Sequence, residues 1–289
     1  MELIIQQIIN GVIVGSMYAL MASGLSLIWG TMKMLNLAHG EFYMLGGYFM
    51  FFLNVSSGLN PVIAAFLSIV IVFLAAVIVQ RVVIHFLLDK PGWTESHLIA
   101  TFGISIMLQN LALNIWGERF KNIPYYIDAN VSFFGIGLSV QRILIFIVAV
   151  LVIIMFWGFL KYSRFGQALR ATSQDRDSAT LYGINTKVIY MIAFGISAIL
   201  ATVAAIMLAP IYSVNPWMGA DLLLKALAVV IIGGLGSLVG AIIGGVGLGI
   251  LEGLGILVFS SEWQNVIAFS LLILVLWIRP SGLFGTKEW

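Results

Sequence analysis

Cysteine is absent from the sequence, histidine occurs only three times, and charged residues make up only 9% of it. Without cysteine the chain can form neither disulfides nor thiolate metal sites nor iron–sulfur centres. The histidines, His39, His85 and His97, form neither an HExxH nor an HxH pair, so no metal centre is expected. The net charge of +2 comes from scattered residues, which does not indicate a nucleic-acid surface.

Apolar residues dominate what remains. They make up 61% of the 289 positions and give a mean hydropathy of +1.09, more apolar surface than one water-soluble globule can bury. Long continuous apolar runs favour membrane-spanning helices over a barrel. The first run, at about residues 3–29, follows no basic region and is longer than the core of a signal peptide, so we expect it to remain as the first span.

Nine apolar segments have the length of a membrane-crossing helix or approach it. The seventh is short, and we expect it either to cross or to form a broken or re-entrant glycine-rich element. The predicted fold class is therefore an all-α polytopic integral membrane protein, a helical bundle of eight or nine spans in a single domain over residues 1–289. The predicted spans cover approximately residues 3–29, 36–53, 61–87, 97–116, 142–160, 188–210, 222–235, 239–258 and 263–278.

The basic residues predict the orientation. With nine crossings and the amino terminus outside, the carboxyl terminus lies inside and ten basic residues fall in inner loops against three outside, as the positive-inside rule requires. Arg142, at an outer helix end, is not counted. The inner residues are Lys33, Arg81, Lys90, Lys161, Arg164, Arg170, Arg176, Lys187, Arg279 and Lys287, and the outer ones are Arg119, Lys121 and Lys225.

The longest polar stretch on the predicted inner side covers residues 161–187. Residues 167–181 contain good helix formers and no proline, and Gly183 follows where a helix would end, so we expect a short cytoplasmic helix. The segment can serve only as a basic anchor on the inner side, or its helix can dock into a groove of a partner protein. Composition alone leaves both interpretations open.

Three motifs occur in the order found in a known family. They are NLAHGEFYMLGGY at residues 36–48, SRFGQALRATSQDRDSATLYGIN at 163–185 and ALAVVIIGGLGSLVGAIIGG at 226–245. Within the second, Asp177-Ser178-Ala179 followed after three residues by Gly183 resembles the EAA-x-x-x-G loop through which ABC importer permeases contact their ATPases. Over nearly the whole chain, the sequence resembles LivH-type permease subunits of branched-chain amino acid ABC transporters.

This resemblance implies a subunit of a high-affinity importer in a prokaryotic plasma (inner) membrane. The subunit would pair with a second, related permease as a heterodimer, with two cytoplasmic ATP-binding subunits that hold ATP and Mg, and with an extracytoplasmic substrate-binding protein. The coupling loop would lie at residues 161–187, with Asp and Ser where the family usually has Glu and Ala. Its residues would be Arg164, Arg170, Asp175, Arg176, Asp177, Ser178, Ala179 and Gly183.

The chain itself is not expected to be an enzyme or to hold a cofactor. No GxxxxGK[ST] phosphate loop occurs in it, so ATP hydrolysis must take place in another chain. An intramembrane enzyme would also need a nucleophile with its base, or a metal set, and neither is evident among the spans.

A stripe of small residues recurs every four positions between residues 233 and 253. Such a stripe lets membrane helices approach closely, since lipid provides no hydrophobic drive for their association. Alternatively, Gly233 and Gly234 break the seventh segment and direct half-helix ends at a solute in the middle of the membrane. The glycines predicted to pack helices are Gly233, Gly234, Gly236, Gly240, Gly244, Gly245, Gly249 and Gly253.

Asn36, His39 and Glu41 gather at the start of the second span and are candidates for a gate near the inner mouth. Ionisable groups at membrane depth usually face protein or water. The alternative is structural: Asn36 caps a helix and Glu41 lies in its first turn, where the helix dipole favours a negative charge.

Three amides and one carboxylate lie deeper in the spans. Asn110 and Asn114 share one face of the fourth span, with Gln109 beside them, and these amides either join helices or line a transport path. Glu252 needs a partner in the eighth span, either Lys225 or a proton.

The leading functional hypothesis is an ABC importer permease for branched-chain amino acids (Leu, Ile, Val) or related amino acids. Urea or a short amide is the alternative solute, because permeases for those solutes share the same motifs. An ion-coupled secondary transporter would need intramembrane carboxylates or broken helices that coordinate cations, and only Glu252 and Glu41 are available for that purpose.

Overall fold

A computed structural model describes residues 2–88, 93–133, 136–260 and 263–285. Lys90 and Lys287, two of the basic residues used to predict the orientation, lie outside this part of the chain. The helices are α1 (Glu2–Met32), α2 (His39–Met50), α3 (Pro61–Val79), α4 (His85–Leu87), α5 (Trp93–Trp116), α6 (Val140–Tyr162), α7 (Arg164–Gln174), α8 (Arg176–Leu181), α9 (Thr186–Leu208), α10 (Met218–Gly233), α11 (Leu238–Val258) and α12 (Gln264–Ile278).

Two π-helical segments extend these helices. Phe51–Ser56 continues α2, and Gln80–Ile84 joins α3 to α4. The sequence analysis did not predict the antiparallel hairpin of β1 (Asn130–Phe133) and β2 (Ile136–Ser139), which lies between α5 and α6.

Side chains set several helix ends. The Asn60 side chain accepts a hydrogen bond from the Val62 amide at 2.9 Å, next to Pro61 at the start of α3. The Ser237 hydroxyl accepts from the Gly240 amide at 3.0 Å and begins α11. Gly234 has a φ of +100°, a conformation that ends α10 at Gly233 and that a residue with a Cβ rarely adopts.

The polytopic helical fold class is confirmed. Within the described residues, six helices are long and apolar enough to cross a membrane: residues 2–32, 61–87, 96–116, 140–162, 186–208 and 238–258. The other three predicted spans correspond to helices that are shorter, namely α2 with its π-helical extension, α10 of 16 residues and α12 of 15 residues. These six described helices are thus candidates for spans by length and composition, and a total of eight or nine spans stays a prediction.

Helix α1 is the centre of the bundle. Nearly all its side chains after Asn10 are buried, and it packs against α6, α9, α10 and, most extensively, α11. In contrast, only about a fifth of the residues in the α3, α5 and α6 spans are buried, so lipid or a partner must cover these three helices.

The glycines act at two separate contacts. Gly245, Gly249 and Gly253 face α1, where a Cβ added at Gly15 would lie 2.7 Å from the Gly245 carbonyl oxygen. Gly240 and Gly244 instead face the end of α10 around Gly233. These are close backbone contacts of the kind that small residues allow. They do not form the single stripe expected from residue 233 to 253, because α11 begins only at Leu238 and presents two faces to two helices.

Candidate functional site

The polar segment between α6 and α9 folds into two short helices. The Ser163 hydroxyl caps α7 by accepting a hydrogen bond from the Gly166 amide at 2.9 Å. Asp175 has an extended backbone, and its carboxylate caps α8 by accepting from the amides of Asp177 at 2.9 Å and Ser178 at 3.1 Å. The single helix expected over residues 167–181 is therefore wrong, because Asp175 ends one helix and begins the next.

Hydrogen bonds also set the charge of this cap. The Ser178 hydroxyl donates to the Asp175 carboxylate at 2.6 Å, and together with the backbone amides it lowers the pKa of Asp175 below its usual range. Asp175 therefore stays ionised at neutral pH, where a carboxylate at a helix amino terminus is most favourable.

The turn after α8 carries two large side chains that the sequence analysis missed. Leu181 and Tyr182 are 88% and 89% exposed. Gly183 follows with a φ of +81°, which ends α8 in the predicted manner and leaves the tip projecting from the bundle. The signal was present in the sequence as two adjacent large side chains directly before the glycine that ends the helix. An exposed pair of this size is a candidate docking contact.

Other residues of the predicted coupling loop hold α7 and α8 against the bundle. The Arg170 guanidinium donates to the Leu160 carbonyl oxygen in α6. Arg176 donates to the Leu88 carbonyl oxygen at 3.3 Å and lies over the Tyr190 ring of α9, 5.9 Å from its centroid. Ala179 is buried, whereas Arg164 and Asp177 are exposed. The loop thus has one face that packs against the bundle and one face that is exposed.

The two ends of the bundle are distinguished by their loops. Met32 and Lys33, at the end of α1, line the same groove as Asp175 and Arg176. Since α9 leads away from α8, residues 209–217 lie at the opposite end, where Val214 pairs with Lys121 through two backbone hydrogen bonds of 2.8 and 2.9 Å. We call the end that contains α7 and α8 the coupling end, and the end that contains residues 209–217 the distal end.

An ion pair links α10, α11 and α1. The Lys225 ammonium lies 3.0 Å from Glu252 Oε2, and both side chains are largely buried. The Tyr18 hydroxyl donates to the same oxygen at 2.9 Å and accepts from Lys225 at 3.0 Å. Lys225 is therefore the partner of Glu252, one of the two alternatives that the sequence left open.

Two chambers flank this ion pair. The α10 chamber, of about 340 Å³, contains Asp221 and Lys225 from α10 together with Tyr18, Leu208, Met218 and Leu222. The α11 chamber, of about 220 Å³, contains Glu252, Asn10 and Arg142, whose guanidinium donates to the Asn10 side chain. Tyr18, Tyr212 and Gln264 line both chambers. Among the pathway candidates, Glu252 is thus placed at a cavity wall.

The group at the start of α2 is buried between helices. The His39 Nε2 lies 3.1 Å from the Met21 carbonyl oxygen and its Nδ1 lies 3.1 Å from the Ser197 hydroxyl. Because a carbonyl only accepts, Nε2 donates to Met21, and the two contacts of the His39 ring join α1, α2 and α9. Glu41 Oε1 accepts from the Ser105 hydroxyl at 2.9 Å.

The structural alternative for this group is partly wrong. Glu41 does lie in the first turn of α2, but the N-cap is Ala38. The Asn36 side chain accepts from the Ala38 amide at 3.0 Å, before the helix starts. The helix begins at His39 because Asn36 forms a local turn that competes with helical geometry.

Among the described residues, the side chains of Asn110 and Asn114 in α5 bond only to carbonyl oxygens of their own helix. Asn114 donates to the Asn110 carbonyl oxygen at 2.9 Å and Asn110 donates to the Ile106 carbonyl oxygen at 2.8 Å. Asn110 and Asn114 share one face, as predicted, but that face is exposed, and Gln109 is half-buried beside it. These hydrogen bonds satisfy one amide proton each and leave polar groups pointing out of the bundle.

The bundle has a polar helix pair at one end and cavities lined by charged residues at the other. This arrangement is typical of a membrane transport subunit. More particularly, the chain belongs to the family described as the permease component of branched-chain amino acid transport systems, whose sequence model matches residues 7–276. It is thus a multi-pass membrane protein of the prokaryotic inner-membrane type.

Individual relatives match over almost the full length. The high-affinity branched-chain amino acid transport system permease protein BraD of Pseudomonas aeruginosa is 39% identical, over 98% of this chain and 96% of its own. The corresponding protein LivH of Escherichia coli K12 is 35% identical with the same coverage. Among solved structures, PsaBC from Streptococcus pneumoniae in complex with Fab aligns with 97% of this chain and 91% of that chain, at 18% identity and a TM-score of 0.46.

Proposed function

We propose that this chain is one of two transmembrane permease subunits of an ATP-driven importer that passes branched-chain amino acids, or related amino acids, into a prokaryotic cytoplasm. The observation that carries the proposal is the family match over residues 7–276. It is supported by full-length relatives whose names state branched-chain amino acid transport. In this proposal residues 1–289 form one permease domain, and the distal end faces outward with the amino terminus.

The chain is not the ATPase in this scheme. Two cytoplasmic ATP-binding subunits hold ATP and Mg, a second and related permease completes the pathway as a heterodimer, and an extracytoplasmic binding protein delivers the solute to the distal end. This division of labour fits a sequence that contains no phosphate-binding loop.

Residues 161–187 couple the chain to the ATPases in our proposal. The exposed Leu181–Tyr182 tip enters a groove of an ATP-binding subunit, as an amphipathic helix end docks into a partner. Movement of the tip is transmitted through Arg170 to α6 and through Arg176 to α9, the two spans that these arginines contact. Asp175, as a rigid cap between α7 and α8, keeps the two helices moving as a unit.

The function is tested by uptake in proteoliposomes that contain the assembled transporter. We expect radiolabelled leucine to accumulate only when ATP is present and the binding protein is supplied. Uptake driven by an ion gradient in vesicles that contain this chain without any ATPase would contradict the importer proposal. ATP-dependent uptake of urea with no uptake of leucine would show that urea, not leucine, is the transported solute.

Docking is tested separately by a double substitution, Leu181→Ala with Tyr182→Ala. We expect the ATP-binding subunit to be lost from the purified complex, since exposed apolar and aromatic contacts dominate such interfaces. Phe120→Ala with Tyr125→Ala is the matched control, because both side chains are also exposed but lie between α5 and β1, at the distal end. Equal retention of the ATP-binding subunit by both variants would exclude the tip as the docking contact.

A further inference from the structure

The α10 chamber combines opposite charges with an apolar wall. Asp221 and Lys225 stand four residues apart on α10 and therefore share one helix face. Leu208, Met218 and Leu222 supply the apolar wall, and each is less than 10% exposed. A volume of about 340 Å³ lies within the range of small-molecule sites.

Each charged group retains binding capacity. Lys225 uses one donor on Tyr18 and one on Glu252, which leaves the third donor of its ammonium for a ligand. The Asp221 side chain has no hydrogen bond to another described residue and is exposed at the chamber mouth. Helix geometry separates positions 221 and 225 by a rise of about 6 Å, so a small solute that carries both charges can contact both groups.

The two chambers together are electrically balanced. The α10 chamber contains Asp221 and Lys225, and the adjoining α11 chamber contains Glu252 and Arg142. Two carboxylates and two cations attract no simple ion in excess, but they offer complementary partners to a solute that is itself doubly charged and neutral overall. Urea and sugars carry no charges and therefore cannot form ion pairs with these groups.

We propose that the α10 chamber is a binding site for a zwitterionic α-amino acid with an aliphatic side chain. The Asp221 carboxylate accepts hydrogen bonds from the ligand ammonium, the Lys225 ammonium donates to the ligand carboxylate, and Leu208, Met218 and Leu222 pack against the aliphatic chain. This site deepens the proposed function and rests on it: the permease would itself select for the amino-acid backbone after the binding protein has released its solute.

The absence of cysteine makes a direct test feasible. Ser213, which lines the α10 chamber, is changed to cysteine in the assembled transporter, and the rate of modification by a membrane-impermeant thiol reagent is measured in proteoliposomes. The transporter with the unsubstituted chain gives the background rate. Asn130→Cys, on the exposed distal hairpin, is the control site outside the chamber.

We expect leucine and valine to slow modification of Ser213→Cys and to leave Asn130→Cys unchanged. 4-Methylpentanoate, which lacks the ammonium, isopentylamine, which lacks the carboxylate, and urea should not protect. Adding Asp221→Asn should raise the leucine concentration that gives half-protection by about tenfold to a hundredfold, because the substitution removes a hydrogen bond between charged groups. Asp128→Asn, which removes an exposed carboxylate from the loop between α5 and β1, should leave that concentration unchanged.

Uptake of leucine by the unsubstituted transporter separates the two ways of failing. If leucine is taken up but does not protect Ser213→Cys, or if the amine or the acid alone protects as well, the proposed site is wrong and the proposed function stands. If leucine is not taken up and urea both enters and protects, the proposed function and the site fail together. If Ser213→Cys itself does not transport, Asn215→Cys on the same wall takes its place.

Discussion

At the scale of single residues, Lys225 and Glu252 are the most demanding pair in the bundle. A buried ion pair costs desolvation of both charges, and removal of one partner leaves the other uncompensated in a medium of low dielectric constant. The Tyr18 hydroxyl joins the pair and connects it to α1, the most buried of the six candidate spans found among the described residues. The pair therefore links the central helix to the two helices that enclose the chambers.

We predict that Lys225→Met destabilises the chain by about 3–5 kcal/mol, since it strands the Glu252 carboxylate. Adding Glu252→Gln should restore much of the loss, because the second substitution removes the uncompensated charge. Thermal unfolding of the detergent-solubilised protein, followed by size-exclusion chromatography, measures both effects. Equal midpoints for the single and double variants would contradict the prediction.

At the scale of helices, the contact of α1 with α11 depends on glycine on both sides. Gly11 and Gly15 of α1 meet Gly245 and Gly249 of α11 with backbone against backbone. Such contacts replace the hydrophobic effect as the source of association in lipid, because dispersion grows as the backbones approach.

We predict that Gly249→Ala destabilises the bundle by about 1–3 kcal/mol, the range for overpacking a tight contact. The new Cβ would lie within 2.5 Å of the Gly15 Cα. Gly247→Ala is the matched control in the same helix, because no atom lies within 4 Å of a Cβ at that position. The same unfolding measurement applies, and a loss of equal size at both positions would rule out the close contact as its cause.

The outward face of α5 presents a different requirement. Asn110 and Asn114 are exposed on a helix otherwise composed largely of apolar side chains, and amide groups are poorly accommodated by lipid. A partner helix that supplies hydrogen-bonding groups would satisfy them, which agrees with the proposed pairing to a second permease.

We predict that Asn110→Leu with Asn114→Leu lowers the amount of the second permease that copurifies with this chain, while the chain itself stays folded. Both amides bond only to carbonyls of their own helix among the described residues, so their loss costs little internal stability. Met107→Leu, also exposed on α5, is the control. Undiminished copurification of the second permease with the double variant would place the pairing surface elsewhere.

At the scale of the whole molecule, the coupling end and the distal end must face opposite sides of the membrane. The inner basic residues gather near α7 and α8, whereas the hairpin and residues 209–217 lie at the distal end. Charge asymmetry across the bilayer sets such an orientation during insertion.

We predict that Asn130→Cys reacts with a membrane-impermeant thiol reagent in intact cells. Thr180→Cys in α8, which is also exposed, should react only after the membrane is permeabilised. Because the native chain has no cysteine, each signal belongs to one position. The opposite labelling pattern would invert the proposed orientation and exclude the distal chambers as an outer site.

Much of this organisation could be predicted from the sequence. Length and apolar content indicate the spans, the motif around Asp177 and Gly183 indicates the family, and repeated small residues indicate close helix packing. Local signals predict less well where two of them compete. An aspartate can lie inside a helix or cap the start of one, and the hydrogen bonds that Asp175 accepts from the amides of residues 177 and 178 make it a cap. Leu181 and Tyr182 could be read from the sequence, but only the structure shows that the turn projects from the bundle and exposes both side chains.

Only the tertiary structure decided which faces meet. Helices α1 and α5 have nearly the same mean hydropathy, 1.7 and 1.6, yet 89% of the α1 span is buried and only 17% of the α5 span is. In lipid, both the core and the outer surface of a bundle are apolar, so hydropathy identifies a span without identifying its neighbours. The ion pair of Glu252 with Lys225 and the close contact of Gly249 with Gly15 both form between different helices, and periodicity within one helix does not specify such contacts.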